Sequence, residues 1–221
     1  HLIYPPCDTR GLQQLPMSRK NRREIVSIAQ FRPEKNHFLQ VEIMDELIHK
    51  SSEANRYDDV KLYMIGSLRV GNAADEALVA RLKAEIAKRR LDNNVFILTG
   101  VSMDVLKQHY ASASIGLHTM SMEHFGIGVV ELQASGVVPI AHNSAGPKLD
   151  IVVPGMGRLA SSAQEYKEAL VELLEMPQQR FEEMANKARE NANRFSDEVF
   201  IAEINSTYLR IPSLSKALER P

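Results

Sequence analysis

Short apolar, β-branched runs alternate along this chain with segments whose apolar positions recur every three or four residues. The runs are EIVSIAQF (Glu24–Phe31), VKLYMIGS (Val60–Ser67), VFILTG (Val95–Gly100), SIGLHT (Ser114–Thr119) and VVPIAH (Val137–His142). They are short and lack strict polar alternation, the pattern of strands covered on both faces of a parallel sheet. Between them, His37–Lys50 keeps Leu39, Ile43 and Leu47 on one helical face, and Glu76–Arg90 does the same with Leu78, Leu82 and Ile86. Helices are also expected over Asp104–Ala111, near Gly128–Ser135 and, briefly, near Pro147–Val152. This strand–helix alternation predicts an α/β fold: a single Rossmann-like domain with a mostly parallel sheet, helices on both faces and right-handed crossovers.

After Pro154 the pattern becomes helical. Gln164–Leu174 places Tyr166, Leu170 and Leu174 on related faces, Pro177–Asn193 has Pro at its first turn, and Ser196 is a candidate N-cap for Ser196–Tyr208. These carboxyl-terminal helices close the sheet domain or cross to a partner domain. No second complete core is visible. The expected organisation is a Pro-rich, then basic lead-in or interlobe segment over 1–23, one ligand-binding domain over 24–208, and a tail over 209–221.

The chain has 221 residues, 44% hydrophobic and 25% charged, enough for a full core. A formal net charge of -1 gives no global attraction to nucleic acid or an acidic membrane. The densest basic run, SRKNRR at Ser18–Arg23, reads as a solvated lead-in or as a phosphate or lipid-headgroup contact. The single cysteine, Cys7, rules out an internal disulfide and allows a reducing compartment. No apolar run reaches the roughly 18 residues of a membrane span. The opening HLIYPP has neither an initiator Met nor a signal pattern, and reads as part of a longer protein.

Candidate chemistry gathers where strands end, the place at which open parallel sheets bind ligands. Arg32 and Lys35, in SIAQFRPEKN, follow the first strand. They can grip one anion beside a helix N-terminus, or form a surface loop paired through Glu34. Glu123 and Glu131 bracket EHFGIGVVE. Gly126 and Gly128 interrupt, so Glu123 belongs to the loop and Glu131 to the helix. The two can bond sugar and ribose hydroxyls, with turn amides around Phe125–Ile127 facing a diphosphate, or serve as a cap and an exposed helix Glu. Gly66 reads as a tight turn or a close approach to a ligand. Lys148 reads as a phosphate contact or a helix-start surface lysine. His118 and His142 stand at strand ends, where structural roles outweigh ligand contact. Asn143, Ser144 and Gly146 form a polar turn at the same edge. A basic and an acidic cluster together suit an anionic diphosphate joined to a polyhydroxyl sugar. Neither GxGxxG at the first helix nor GxxxxGK[ST] is present.

AQFRPEKN, IGLHTMSMEHFGIGVVELQASG and IAHNSAGPKLDIVVP together resemble the carboxyl-terminal half of a eukaryotic branch of the family-4 retaining glycosyltransferases. That branch comprises the GDP-mannose-dependent α-1,2-mannosyltransferases acting on dolichol-diphosphate-linked oligosaccharide. The resemblance runs from about Tyr4 to Tyr208. It implies one lobe of a two-lobe GT-B fold, with GDP-mannose as donor substrate, no metal or other cofactor, and no nucleic-acid partner. Arg32 and Lys35 match the pair for the donor diphosphate, Glu123 the carboxylate near the donor sugar and Glu131 the one at the ribose. Gly126 and Ile127 match the turn whose amides face the donor; Gly66 and Lys148 are added as donor contacts from their own place at the strand ends, not from the resemblance. The implied acceptor is a lipid-linked oligosaccharide, held with an amino-terminal lobe outside this chain. That outside part also implies membrane association, at the cytosolic face of the endoplasmic reticulum. The alternatives are a family-4 lobe with another nucleotide sugar or acceptor, a non-catalytic nucleotide-sugar binding module, and a purely structural α/β domain. Two phrases depart from the family pattern: GMGRLASS after Pro154, shorter than the usual loop, and SMEHF, in place of the usual aromatic-containing phrase before Glu123.

Overall fold

The computed structural model of the protein describes residues 2–51 and 55–209; the expected tail beyond residue 209 lies outside the described residues. Six strands, β1 (Asn21–Ile28), β2 (Lys61–Gly66), β3 (Val95–Thr99), β4 (Ala113–His118), β5 (Val138–His142) and β6 (Arg158–Ala160), form one sheet in the order β3-β2-β1-β4-β5-β6. Every neighbouring pair is parallel. This is the order of a Rossmann sheet, as the alternating pattern predicts.

The strands hold because their side chains alternate between two cores. In β1, Ile25 joins one apolar cluster and Val26 the other. In β2, Leu62 and Met64 face the first cluster and Tyr63 the second. β1 starts at Asn21 rather than Glu24 and ends at Ile28 rather than Phe31. Past its end, the Ala29 and Phe31 amides still donate to Ile65 (3.0 Å) and Ser67 (3.1 Å), so the chain continues beside β2 without belonging to the ladder. β6 carries no sequence signal, since three residues are too few to show a period.

The helices are α1 (Arg10–Gln13), α2 (His37–Ile48), α3 (Ala73–Lys88), α4 (Met103–Ser112), α5 (Ile127–Ala134), α6 (Ala163–Glu175), α7 (Gln178–Asn191) and α8 (Asp197–Leu209). Side-chain caps fix several starts. Asn72 accepts from the Ala74 and Asp75 amides, Ser102 from Val105, Ser162 from Glu165 and Ser196 from Val199. Pro177 is the N-cap of α7 rather than its first residue. The short helix expected near Pro147 is a π-helical turn over Pro147–Ile151. α2, α3 and α6 supply the larger cluster, with Leu47, Leu82, Tyr166 and Leu170 buried.

The lead-in is more ordered than its composition predicts. The Cys7 amide donates to the Phe195 carbonyl at 2.8 Å. Tyr4 lies against Phe195 and Phe125, with ring centroids 5.1 and 5.8 Å away. Residues at the start of the described chain therefore help fill the core under α5. Burial pushes the Cys7 thiol up to about 11, so it is a packed, protonated group. Among the described residues no helix is long and apolar enough to cross a membrane.

Candidate functional site

β1 and β4 are adjacent in the sheet while the strands on either side of them run outward in opposite sequence directions. This is the topological switch point, where the loops leaving two neighbouring strands part and leave a crevice. After β1, Arg32 is extended, Pro33–Lys35 forms a 3-10 turn, and Asn36 (φ 53°) turns the chain into α2. After β4 the loop runs through Met122 (φ 56°) and Gly126 (φ 108°) into α5. A left-handed φ at Gly126 favours a residue without Cβ, which explains a glycine at the mouth of this helix.

Thr119 ties the two loops together. Its hydroxyl donates to the carbonyls of Lys35 (2.9 Å) and Asn36 (3.2 Å) and accepts from Gln40 Nε2 (2.9 Å). The result brings Lys35 Nζ to 2.8 Å from Glu123 Oε2 and 3.1 Å from Met120 Sδ. His118 Nε2 stands 3.6 Å from the same Glu123 oxygen, an electrostatic contact beyond hydrogen-bond distance. The His118 ring and the Lys35 ammonium hold the Glu123 carboxyl down to about 2, against burial, which pushes it up. The polar turn after β5 clamps the same loop. Ser144 Oγ accepts from the Met122 amide at 2.9 Å and lies 2.8 Å from His142 Nδ1, while the Gly146 amide donates to the Glu123 carbonyl at 2.9 Å.

Arg32 forms the pair with Glu34, at 2.6 Å, and bonds Gln30 Oε1 at 3.3 Å, half-exposed at the rim and away from Glu123. Glu131 is on α5, apart from Glu123, and its Oε2 accepts from the Tyr110 hydroxyl at 3.0 Å. Burial raises the Glu131 carboxyl; the Tyr110 hydrogen bond pulls it back, and the charge of Asp8 adds to the rise. Tyr110 lies one helical turn after Leu106, and Leu106 lines a cleft of about 270 Å³ with Ile28, Ala29, Gly66, Gly100 and Val101. Gly66 has a packing reason of its own: a Cβ there would sit 1.9 Å from the Ala29 carbonyl oxygen. Close approach by the chain's own backbone accounts for a glycine here. Ile127, the first residue of α5, is 46% exposed, and Lys148 is exposed on the π-helical turn.

Lys35 and Glu123 are thus joined, whereas Arg32 pairs with Glu34, Glu131 bonds Tyr110, and Lys148 is exposed on its own turn. Sequence reasoning missed Tyr110, Thr119 and Gln40, which carry no local signal. It noted His118 and Ser144 only by their place at strand ends.

A family model described as glycosyl transferases group 1 matches residues 13–195. The chain belongs to that family. Among curated relatives it is similar to the GDP-Man:Man(3)GlcNAc(2)-PP-Dol alpha-1,2-mannosyltransferase of Dictyostelium discoideum, 44% identical over 206 residues, with 90% of this chain and 40% of the relative covered. The protein of that name from Homo sapiens is 39% identical over 207 residues, covering 90% of this chain and 42% of the relative. This glycosyl transferase chain therefore spans about 40% of the length of such relatives. A crystal structure of Anabaena Alr3699/HepE in complex with UDP and glucose aligns with TM-score 0.74 at 19% identity, covering 94% of this chain and 56% of that one. The C-terminal domain of a glycosyl transferase group 1 family protein (LpcC) from Francisella tularensis aligns with TM-score 0.65 at 18% identity, covering 86% of this chain and 94% of that one. At such identities the structures establish the fold: this is a Rossmann-like lobe of the GT-B kind.

Proposed function

We propose that this chain is the donor-binding lobe of a retaining α-1,2-mannosyltransferase, which transfers mannose from GDP-mannose to a dolichol-diphosphate-linked oligosaccharide. The observation that carries the reading is the Lys35–Glu123 pair at the sheet's switch point, next to the cleft under Leu106. The printed names of the relatives supply the identity of donor and acceptor.

In this reading Arg32 and Lys35 receive the diphosphate. Breaking the sugar–phosphate bond builds negative charge on the departing group, and two cations held at the crevice stabilise that charge more than the ground state. Both start paired with carboxylates of the same chain, Arg32 with Glu34 and Lys35 with Glu123. The donor diphosphate displaces these contacts instead of meeting bare cations. Glu123 then faces the sugar as an ionised group suited to a cationic transition state. Gly126 and Ile127 offer amides at the start of α5, Glu131 takes ribose hydroxyls, Lys148 adds a cation from the far rim, and Gly66 shapes the cleft wall from behind.

The acceptor belongs to an amino-terminal lobe outside this chain, along with attachment to the endoplasmic-reticulum membrane. Because a closed two-lobe crevice holds the acceptor and excludes water, the 221-residue chain alone binds donor but does not turn over.

Calorimetric titration with GDP, UDP and ADP tests this. The expected result is selective GDP binding that disappears in an Arg32→Ala/Lys35→Ala variant. Binding of UDP or ADP in preference to GDP, or GDP binding indifferent to the double substitution, overturns the assignment. Mannosyl transfer by the chain without further protein refutes the division of labour between lobes.

A further inference from the structure

The basic run SRKNRR leads into the amino-terminal end of β1, at the end of the sheet opposite the donor crevice. Two of its cations turn inward. Lys20 and Arg22 line a cavity of about 480 Å³ together with Asn21, Ser114, Gln178 and Phe181. Three observations mark this cavity as a binding site rather than a packing gap.

The Ser114 side chain is the first. Ser114 is 1% exposed, and its Oγ has no hydrogen-bond partner among the described residues. A buried hydroxyl left unpaired costs about 1–3 kcal/mol, so such groups signal a missing partner. Lys20 is the second. Its Nζ donates to the Tyr110 carbonyl, yet among the described residues no carboxylate pairs with it. Burial and the nearby charge of Arg189 pull the Lys20 amine down to about 7, which is what a buried cation without a counter-charge does. The third is the frame. Arg22 bonds the Leu173 (3.3 Å) and Met176 carbonyls and Gln178 Oε1 (2.9 Å), and its guanidinium lies 5.2 Å from the centre of the Phe181 ring. α7 starts beside it after Pro177 with no side-chain cap, presenting its positive end at the cavity. The one acidic lining residue, Glu182, accepts from Gln178 Nε2 at 2.7 Å.

We propose that this cavity is an anion site for a phosphate monoester. Lys20 and Ser114 supply an ammonium and a hydroxyl to the phosphate oxygens, the α7 amides and Asn21 add neutral donors, and Phe181 walls the space for the esterified group. The volume exceeds that of free phosphate, which favours an ester over the inorganic ion.

Phosphate also suits the donor crevice, so the test is made in the Arg32→Ala/Lys35→Ala background. Calorimetric titration with inorganic phosphate and with glycerol 3-phosphate is expected to show saturable binding, tighter for the ester. It should weaken roughly tenfold or more in Lys20→Met and severalfold in Ser114→Ala, which removes only the unpaired hydroxyl. Cosedimentation with phosphatidylcholine vesicles, with and without phosphatidic acid, separates the sources. Retention on phosphatidic acid that Lys20→Met abolishes identifies a lipid headgroup, and binding of the soluble ester alone identifies a soluble phosphoester. Should Lys20→Met fail to fold, NMR titration of the Lys20 side chain replaces it, with an upward shift of its titration on ligand addition as the expected result. No binding in either arm, or binding that neither variant weakens and no shift at Lys20 accompanies, overturns the proposal.

Discussion

His37 makes the loop that carries Lys35 sensitive to acid. It is the first residue of α2, 2% exposed, with its ring stacked on Phe31 at 4.8 Å and its Nδ1 without a partner among the described residues. Burial, and then the charge of Lys35, lower it from 6.5 to about 4. The positive end of α2 acts in the same direction. Because the folded value lies below the unfolded one, the unfolded chain takes up this proton first. Stability is therefore intact above about pH 6.5 and falls as the pH drops toward 4. The full shift corresponds to about 3 kcal/mol, most of which is expressed between about pH 7.5 and about pH 4.5. Urea unfolding at those two pH values measures it, with His37→Phe as the variant that keeps a ring against Phe31 and removes the proton site. The wild type is expected to lose roughly 2–3 kcal/mol more than the variant on acidification. Lys35→Met is expected to shrink the wild-type loss, since it removes the second cause of the shift. Equal losses in wild type and His37→Phe would refute the reasoning.

Three further outcomes are expected. Gly66→Ala forces a Cβ against the Ala29 carbonyl and parts the segment from β2, costing about 3 kcal/mol, read as a fall in Tm on thermal melting. An unchanged Tm would show that the backbone there yields freely. Tyr110→Phe removes the hydrogen bond to Glu131 and leaves that carboxylate unoriented, weakening GDP binding by about tenfold with the fold intact by circular dichroism. Glu123→Gln frees Lys35 for the diphosphate. It is expected to leave GDP affinity undiminished while transfer by the full-length enzyme falls by about a hundredfold or more, and weakened GDP binding would count against that role.

Much of this fold is legible in the sequence because its strands are buried on both faces. EIVSIAQF or SIGLHT has few other uses than a central parallel strand. The RLA of β6 is not legible, since its place comes from pairing with β5 rather than from its composition. Nor is the order of the lead-in, where Tyr4 and Cys7 are fixed by Phe195, a partner almost the whole chain away. The site follows the same division. That Arg32, Lys35 and Glu123 stand at strand ends follows from the pattern. That Lys35 touches Glu123 follows only from the sheet order, which sets β1 beside β4 and so brings their loops together. Tyr110 and Thr119 act through contacts that the same order creates, and no local motif announces them. For Arg32, the sequence left a phosphate grip and a pair with Glu34 both open; the loop forms the pair, and the grip belongs to the proposed function.

The surroundings of Glu123 also limit what that carboxylate does in the proposed reaction. A general base works best when its pKa lies near the pH at which it operates. With His118 and Lys35 beside it, Glu123 is held to about 2 and is a weak proton acceptor at neutral pH. Its value there is its fixed negative charge, which favours positive charge developing on a nearby sugar as the bond to phosphate lengthens. Lys35 serves both sides of that event. With His118, it keeps Glu123 ionised while the crevice is empty, and it is the cation that a departing diphosphate would draw toward itself. As Lys35 moves toward phosphate, the negative charge on Glu123 is less neutralised just as the sugar becomes more positive. A single ion pair at the switch point can in this way couple the two halves of the bond-breaking step without either residue transferring a proton.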